Sequence, residues 1–84
     1  MDVAEQLTYG LRFNRAQART LRNIGDEAQR HGQGDVGLYF KAAESAEIGE
    51  PLVVKCSSRD EVERMAALFA TLGIKRPAIE DLNG

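Results

Sequence analysis

The sequence has few of the residues that disulfide and metal sites need: one cysteine and one histidine, with no tryptophan and two prolines, in 84 residues. A lone cysteine cannot form an intramolecular disulfide, and such usage is typical of a reducing compartment. One cysteine and one histidine are too few for a structural zinc site, and the carboxylates lack calcium-loop spacing. We therefore expect no metal and no other cofactor. The longest apolar run, residues 65–70, is too short to cross a bilayer, so we expect no membrane partner.

The composition indicates a folded chain of modest size. With 43% hydrophobic residues and a net charge of −2, it is too apolar and too weakly charged to be disordered. A chain this short builds one small core, which excludes barrel enzymes and full dinucleotide-binding folds, so we expect residues 1–84 to form a single domain. The start, Met-Asp-Val-Ala-Glu, has neither the basic nor the apolar segment of a secretory signal, and we expect a cytoplasmic protein.

Two helices are predicted in the first half of the chain. Apolar residues at helical spacing indicate a helix over residues 14–31, with Asn14 as its N-cap. A second helix is predicted over residues 36–48, with Asp35 as N-cap and Gly49 at its end. Both carry alanine-rich faces, which would let them pack closely as an antiparallel hairpin.

A third helix is predicted over residues 59–72. Ser58 and Glu61 have the spacing of a capping box, and Gly73 has the place of a left-handed C-terminal residue. The apolar residues recur at helical spacing and predict one buried stripe: Val62, Met65, Ala66, Phe69 and Leu72.

Strands are predicted in three segments. Residues 52–56 are apolar and β-branched, and we expect a buried strand. Residues 74–79 are predicted to be its parallel neighbour, held at an edge of the sheet by Pro77. Residues 7–13 alternate apolar and polar side chains, which favours a strand, although a helical face also fits them.

These elements predict an α+β domain of three helices packed on a short two- to three-stranded sheet, in the order β-α-α-β-α-β. If the first segment is helical instead, the domain is mostly α.

An arginine series is the first candidate binding site. Arg12, Arg15, Arg19 and Arg22 are spaced by 3, 4 and 3 residues and would line one face if a helix ran through them all. Guanidinium groups in such a row can bind phosphates or carboxylates. The whole chain, however, is acidic, with a pI near 5.3 and few aromatic residues for base stacking, so a nucleic-acid partner is disfavoured though not excluded.

The segment from Cys56 to Arg59 is the second candidate site. Ser57, Ser58 and Arg59 follow a predicted strand and open a helix, where amides, hydroxyls and a guanidinium can bind an anion. The alternative is purely structural, with Ser58 capping the helix and Cys56 in the core. Cys56 and His31 lie on different predicted elements and have no recognisable flanking signature, so we expect no enzyme.

The function predicted from these features is a small, non-catalytic, accessory or regulatory domain that binds a protein partner or forms a homodimer. Four aromatic residues would serve as interface anchors wherever they are exposed: Tyr9, Phe13, Tyr39 and Phe40. Nucleic-acid binding by the arginine series is the first alternative. An anion site or small active site at Cys56–Arg59 is the second.

Overall fold

The computed structural model describes residues 6–83 and confirms the predicted α+β class and element order. The elements are β1 (Leu7–Arg12), α1 (Ala18–His31), α2 (Val36–Ile48), β2 (Leu52–Cys56), α3 (Arg59–Thr71) and β3 (Ala78–Asp81). A single 3-10 turn, Arg15–Gln17, leads into α1, so the helix predicted from residue 14 is regular only from Ala18. The first segment is a strand, and the helical alternative for residues 7–13 is wrong.

The sheet has β1 at its centre, in the order β2-β1-β3, and β1 is antiparallel to both neighbours. Leu11 lies opposite Leu52 on one side and opposite Ile79 on the other. The prediction that the last strand lies beside β2 is therefore wrong, although the two strands do run in the same direction. In the central position, β1 pairs its backbone N–H and C=O groups with a neighbour along both of its edges.

The last strand begins later than predicted, at Ala78 instead of residue 74. Ile74 is 2% exposed and its amide bonds to the Phe69 carbonyl at 3.1 Å, so it ends α3 and does not open β3. Pro77 has no N–H to donate and precedes the strand, which lies at an edge as predicted.

The core lies between the inner face of the sheet and the helices. Three of the alternating large side chains are buried, Tyr9, Leu11 and Phe13, but Gly10 is buried too and Leu7 is only half-buried. Phe69 of α3 is fully buried at the centre, with its ring 4.8 Å from that of Phe13 and 6.1 Å from that of Tyr39, both edge to face. Such pairs add to the stability that burial alone gives.

The two N-caps predicted in the first half are confirmed. The Asn14 side chain accepts a hydrogen bond from the Ala16 amide at 2.9 Å, and the Asp35 side chain accepts one from the Leu38 amide at 3.1 Å. Gly49 is left-handed at the end of α2, as expected.

The capping box predicted for α3 is displaced by one residue. Within residues 6–83 the Ser58 side chain caps no amide, and the Glu61 carboxylate bonds to the amide and the hydroxyl of Ser57 instead. The backbone of Ser58 is fully extended, which places Ser57 over the first turn where the Glu61 side chain reaches it.

Helices α1 and α2 form the predicted hairpin. The alanines of α2 that face α1 and the sheet are buried, and Gly25 of α1 lies directly against the ring of Phe40. A Cβ at Gly25 would be 2.9 Å from a Phe40 ring carbon, so this glycine allows the helices to approach closely. From the sequence alone, Gly25 is expected only to lower the stability of the helix, because glycine has a low helix propensity.

Candidate protein-binding groove and basic pocket

An open groove separates α1 from the C-terminal end of α3. Helix α1 packs on α2, whereas α3 packs on the sheet, and the two make little direct contact. The groove has a volume of about 530 Å³. It is lined mainly by carbon atoms of α1, the turn after it, α2 and the end of α3.

The floor of the groove is apolar and its rim is polar. Ile24 and Ala28 are half-buried along α1, and Tyr39 of α2 closes the base. Gly34 shapes the end of the groove, because its φ of +75° suits glycine and a Cβ there would lie 2.8 Å from the Tyr39 hydroxyl. On the rim, the Glu27 carboxylate lies 3.3 Å from Arg30 and 3.2 Å from His31, and among residues 6–83 it forms ion pairs with these two helix neighbours only.

Beside the groove, α3 carries a second apolar stripe, which we call the leucine ridge: Met65, which is half-buried, with Leu68 and Leu72, which are exposed. The single buried stripe predicted for α3 is therefore wrong in part. Its members Val62, Ala66 and Phe69 are fully buried, whereas Leu72 is 36% exposed and lines the groove.

Leu68, which the sequence prediction left out of the stripe, is 41% exposed. The ridge has the spacing of 3 and 4 residues that helix–helix seams show, but the buried residues Val62, Ala66 and Phe69 have this spacing too, so spacing alone does not separate the two stripes.

The predicted arginine series does not share one helical face. Arg12 lies in β1 and Arg15 in the 3-10 turn, so only Arg19 and Arg22 belong to α1. The Arg22 guanidinium bonds to the Glu47 carboxylate of α2, which raises the pKa of Arg22 and lowers that of Glu47. Over the part of the chain that the structure describes, Arg15 and Arg19 form no ion pair.

Arg12 belongs to a basic pocket that the sequence did not predict. The pocket, of about 270 Å³, is formed by the end of β1 and the connection from α3 to β3: Arg12, Phe13, Asn14, Lys75, Arg76 and Ala78. Residues 12–14 and residues 75–78 are more than sixty positions apart in the chain, so no local spacing in the sequence indicates that they meet.

The two arginines of the basic pocket are held by carboxylates. The Arg12 Nε donates to Glu80 at 2.6 Å, which raises the pKa of Arg12, and its Nη1 donates to the Gly49 carbonyl at 3.1 Å. The Arg76 Nη2 donates to Glu63 at 2.6 Å. Lys75 is exposed and has no ion-pair partner in residues 6–83.

At the predicted anion site, Ser57 and Arg59 already have partners, whereas the Ser58 side chain makes no capping hydrogen bond within residues 6–83. The amide and hydroxyl of Ser57 bind the Glu61 carboxylate, and these bonds lower the pKa of Glu61, which stays charged. Arg59 donates to Glu63 at 3.2 Å and lies 5.8 Å from the centre of the Tyr9 ring. An incoming anion would meet negative charge here.

Cys56 is 7% exposed and faces the core. The predicted aromatic anchors are likewise inside: Tyr9, Phe13 and Tyr39 are buried, and Phe40 is half-buried. Between residues 6 and 83, no group of three or more His, Cys, Asp or Glu side chains is placed to hold a metal ion. Nor does that part of the chain contain a helix of the length and apolar character that a membrane crossing requires.

Comparison with known proteins gave no match to any family model, curated protein or solved structure. The groove, the leucine ridge and the basic pocket are the features from which function can be inferred.

Proposed function

We propose that this chain is a non-catalytic protein-binding domain whose interaction surface is the groove together with the leucine ridge. The observation that carries the proposal is the exposure of Leu68 and Leu72 beside an apolar groove that no element of residues 6–83 fills. Adjoining apolar surface of this kind, with a polar rim, is typical of protein-binding sites.

The occupant we propose is a second copy of the chain. A ridge and a groove lie side by side on one face, so a twofold rotation places the ridge of each copy in the groove of the other. Such self-complementary interfaces are the commonest kind in homo-oligomers. The spacing of the ridge residues also matches the seam along which helices pack in pairs.

Charge supports the same arrangement. Glu27 lies on the rim of the groove, and Arg64 lies on α3 one turn before Leu68, exposed and without an ion-pair partner in the described part of the chain. In the proposed dimer the Arg64 guanidinium of one copy faces the Glu27 carboxylate of the other. Because the apolar surface is small, we expect a dissociation constant in roughly the micromolar range.

The test is the solution mass measured by light scattering over a wide range of chain concentration. We expect the mass to rise from that of one 9.2 kDa chain to twice that value. Leu68→Gln with Leu72→Gln should keep the chain monomeric. Ile48→Gln is the matched control, because Ile48 is 60% exposed at the end of α2, away from the groove.

A charge exchange sharpens the test. Glu27→Arg and Arg64→Glu should each weaken the dimer, and the two together should restore it. A chain that stays monomeric at millimolar concentration contradicts the second copy as occupant. A dimer that survives both leucine substitutions has a different interface and equally refutes the proposal.

Nucleic-acid binding by the arginine series has less support. Arg12 and Arg22 form ion pairs with Glu80 and Glu47. Only Arg15 and Arg19 of the series have no ion-pair partner among the described residues. The proposal keeps the expectation of a reducing compartment such as the cytoplasm, which is supported by the single, buried thiol of Cys56.

A further inference from the structure

We infer that the basic pocket binds a small phosphate dianion, either free phosphate or the phosphate group of a small monoester. Three cationic side chains, Arg12, Lys75 and Arg76, line one concave site of about 270 Å³ on a chain whose net charge is −2. This concentration of positive charge is local, and it lies at a site separate from the groove proposed for the dimer.

The fold fixes where these cations lie. Arg12 ends β1, and Lys75 and Arg76 lie on the connection between α3 and β3, whose Pro77 is buried. The carboxylates of Glu80 and Glu63 position the two guanidinium groups from outside the pocket lining. Preorganised donors lose less conformational entropy when a ligand binds.

Hydrogen-bonding capacity remains after these contacts. Among the described residues, Arg12 uses three of its N–H groups, Arg76 bonds through Nη2 alone, and the Lys75 ammonium has no ion-pair partner. A phosphate dianion offers three acceptor oxygens and a double charge, which suits several converging donors better than a single carboxylate does.

The size and walls of the pocket favour a small ligand over a polynucleotide. Binding of a single strand needs aromatic side chains on which bases stack. Phe13 is 7% exposed and offers only an apolar wall, sufficient for a short carbon chain attached to the phosphate. Because Glu63 and Glu80 weaken the positive potential, we expect affinity in roughly the millimolar range.

The test is a nitrogen-15 NMR titration at pH 8, in which inorganic phosphate replaces chloride at constant ionic strength. We expect saturable shifts confined to the amides of residues 12–14, 75, 76 and 78. Lys75→Ala should weaken binding about fivefold or more, because it removes one of three charges at close range. Lys41→Ala, which removes an exposed lysine of α2 outside the pocket, should leave the binding unchanged.

Two further ligands show whether the pocket binds free phosphate, a small phosphate monoester or a polynucleotide. Glycerol phosphate should bind at the same residues as inorganic phosphate, and a single-stranded oligonucleotide of about twelve nucleotides should bind no more tightly per phosphate. Shifts that do not saturate, or that Lys75→Ala leaves unchanged, overturn the inference. Much tighter binding of the oligonucleotide, with shifts extending to Arg15 and Arg19, overturns it in favour of a nucleic-acid surface.

Discussion

Gly25 lies where α1 packs closely on the Phe40 ring of α2. Its replacement by alanine has two opposite effects on stability: it raises the helix propensity of α1, and it crowds the contact with Phe40. Alanine is favoured over glycine by about 0.8–1 kcal/mol inside a helix. The added Cβ, however, would lie 2.9, 3.0 and 3.1 Å from three ring carbons of Phe40, well inside the usual carbon–carbon contact distance of about 3.5–4.0 Å. Overpacking of this kind costs about 1–3 kcal/mol.

The half-buried ring of Phe40 can shift, so we place the packing cost of Gly25→Ala in the lower half of that range. The two effects then leave a net destabilisation of about 0–1 kcal/mol. Gly37→Ala is the matched control, because Gly37 is also helical and a Cβ there has only the Asp35 carboxylate nearby, at 3.7 Å. Gly37→Ala should stabilise the chain by about 0.5–1 kcal/mol.

Urea denaturation followed by circular dichroism measures both free energies of unfolding. We expect the two variants to differ by about 0.5–2 kcal/mol, with Gly37→Ala the more stable. In the Phe40→Leu background the ring is absent, so Gly25→Ala should become neutral or stabilising there. Equal stabilisation by the two alanines in the native background would refute the assigned contact.

Three further predictions concern the core, the start of α3 and the thiol. Phe69→Ala should lower the free energy of unfolding by about 3–5 kcal/mol, measured in urea, because it empties the centre of the core. Since hydrogen bonds from Ser57 lower the pKa of Glu61, the carboxylate stabilises the fold above its unfolded pKa of about 4.3, and this stabilisation is lost as the pH falls through the folded pKa. Glu61→Gln should therefore reduce the loss of stability between neutral and acid pH, measured by thermal melts. Cys56 should react with a thiol reagent on the order of 100-fold more slowly in the folded chain than in urea, because it is buried.

Each of these predictions has a control or a contradicting outcome. A loss below about 1 kcal/mol for Phe69→Ala would contradict the central position of that ring. Glu50→Gln removes an exposed carboxylate from the turn before β2. If it reduces the loss of stability at acid pH as much as Glu61→Gln does, the loss comes from carboxylate charge in general and not from the bond to Ser57. Rapid labelling of native Cys56 would show an accessible thiol.

The sequence predicted the elements well because their signals are local. The N-caps Asn14 and Asp35, and the strand predicted from the alternation of residues 7–13, depend on signals within a few positions of the chain, and the structure confirms all three. The displaced cap at Ser57 shows the limit of such signals. The side-chain spacing was right for a capping box, but the extended backbone at Ser58 decided which hydroxyl Glu61 reaches.

The candidate sites were predicted less well, for a different reason. The leucine ridge is present in the spacing of α3, yet the sequence could not tell which apolar residues the sheet covers and which it leaves exposed. The arginine series had regular spacing, but a strand, a turn and a helix place its members on different surfaces.

By itself, then, the sequence determined the type and order of the helices and strands, their approximate places in the chain, and which of their faces are apolar. Tertiary structure alone placed β1 between β2 and β3, left a groove between α1 and α3, and brought Arg12 beside Lys75 and Arg76. Periodicity and caps depend on neighbours along the chain, whereas adjacency of elements depends on which packing buries the most apolar surface.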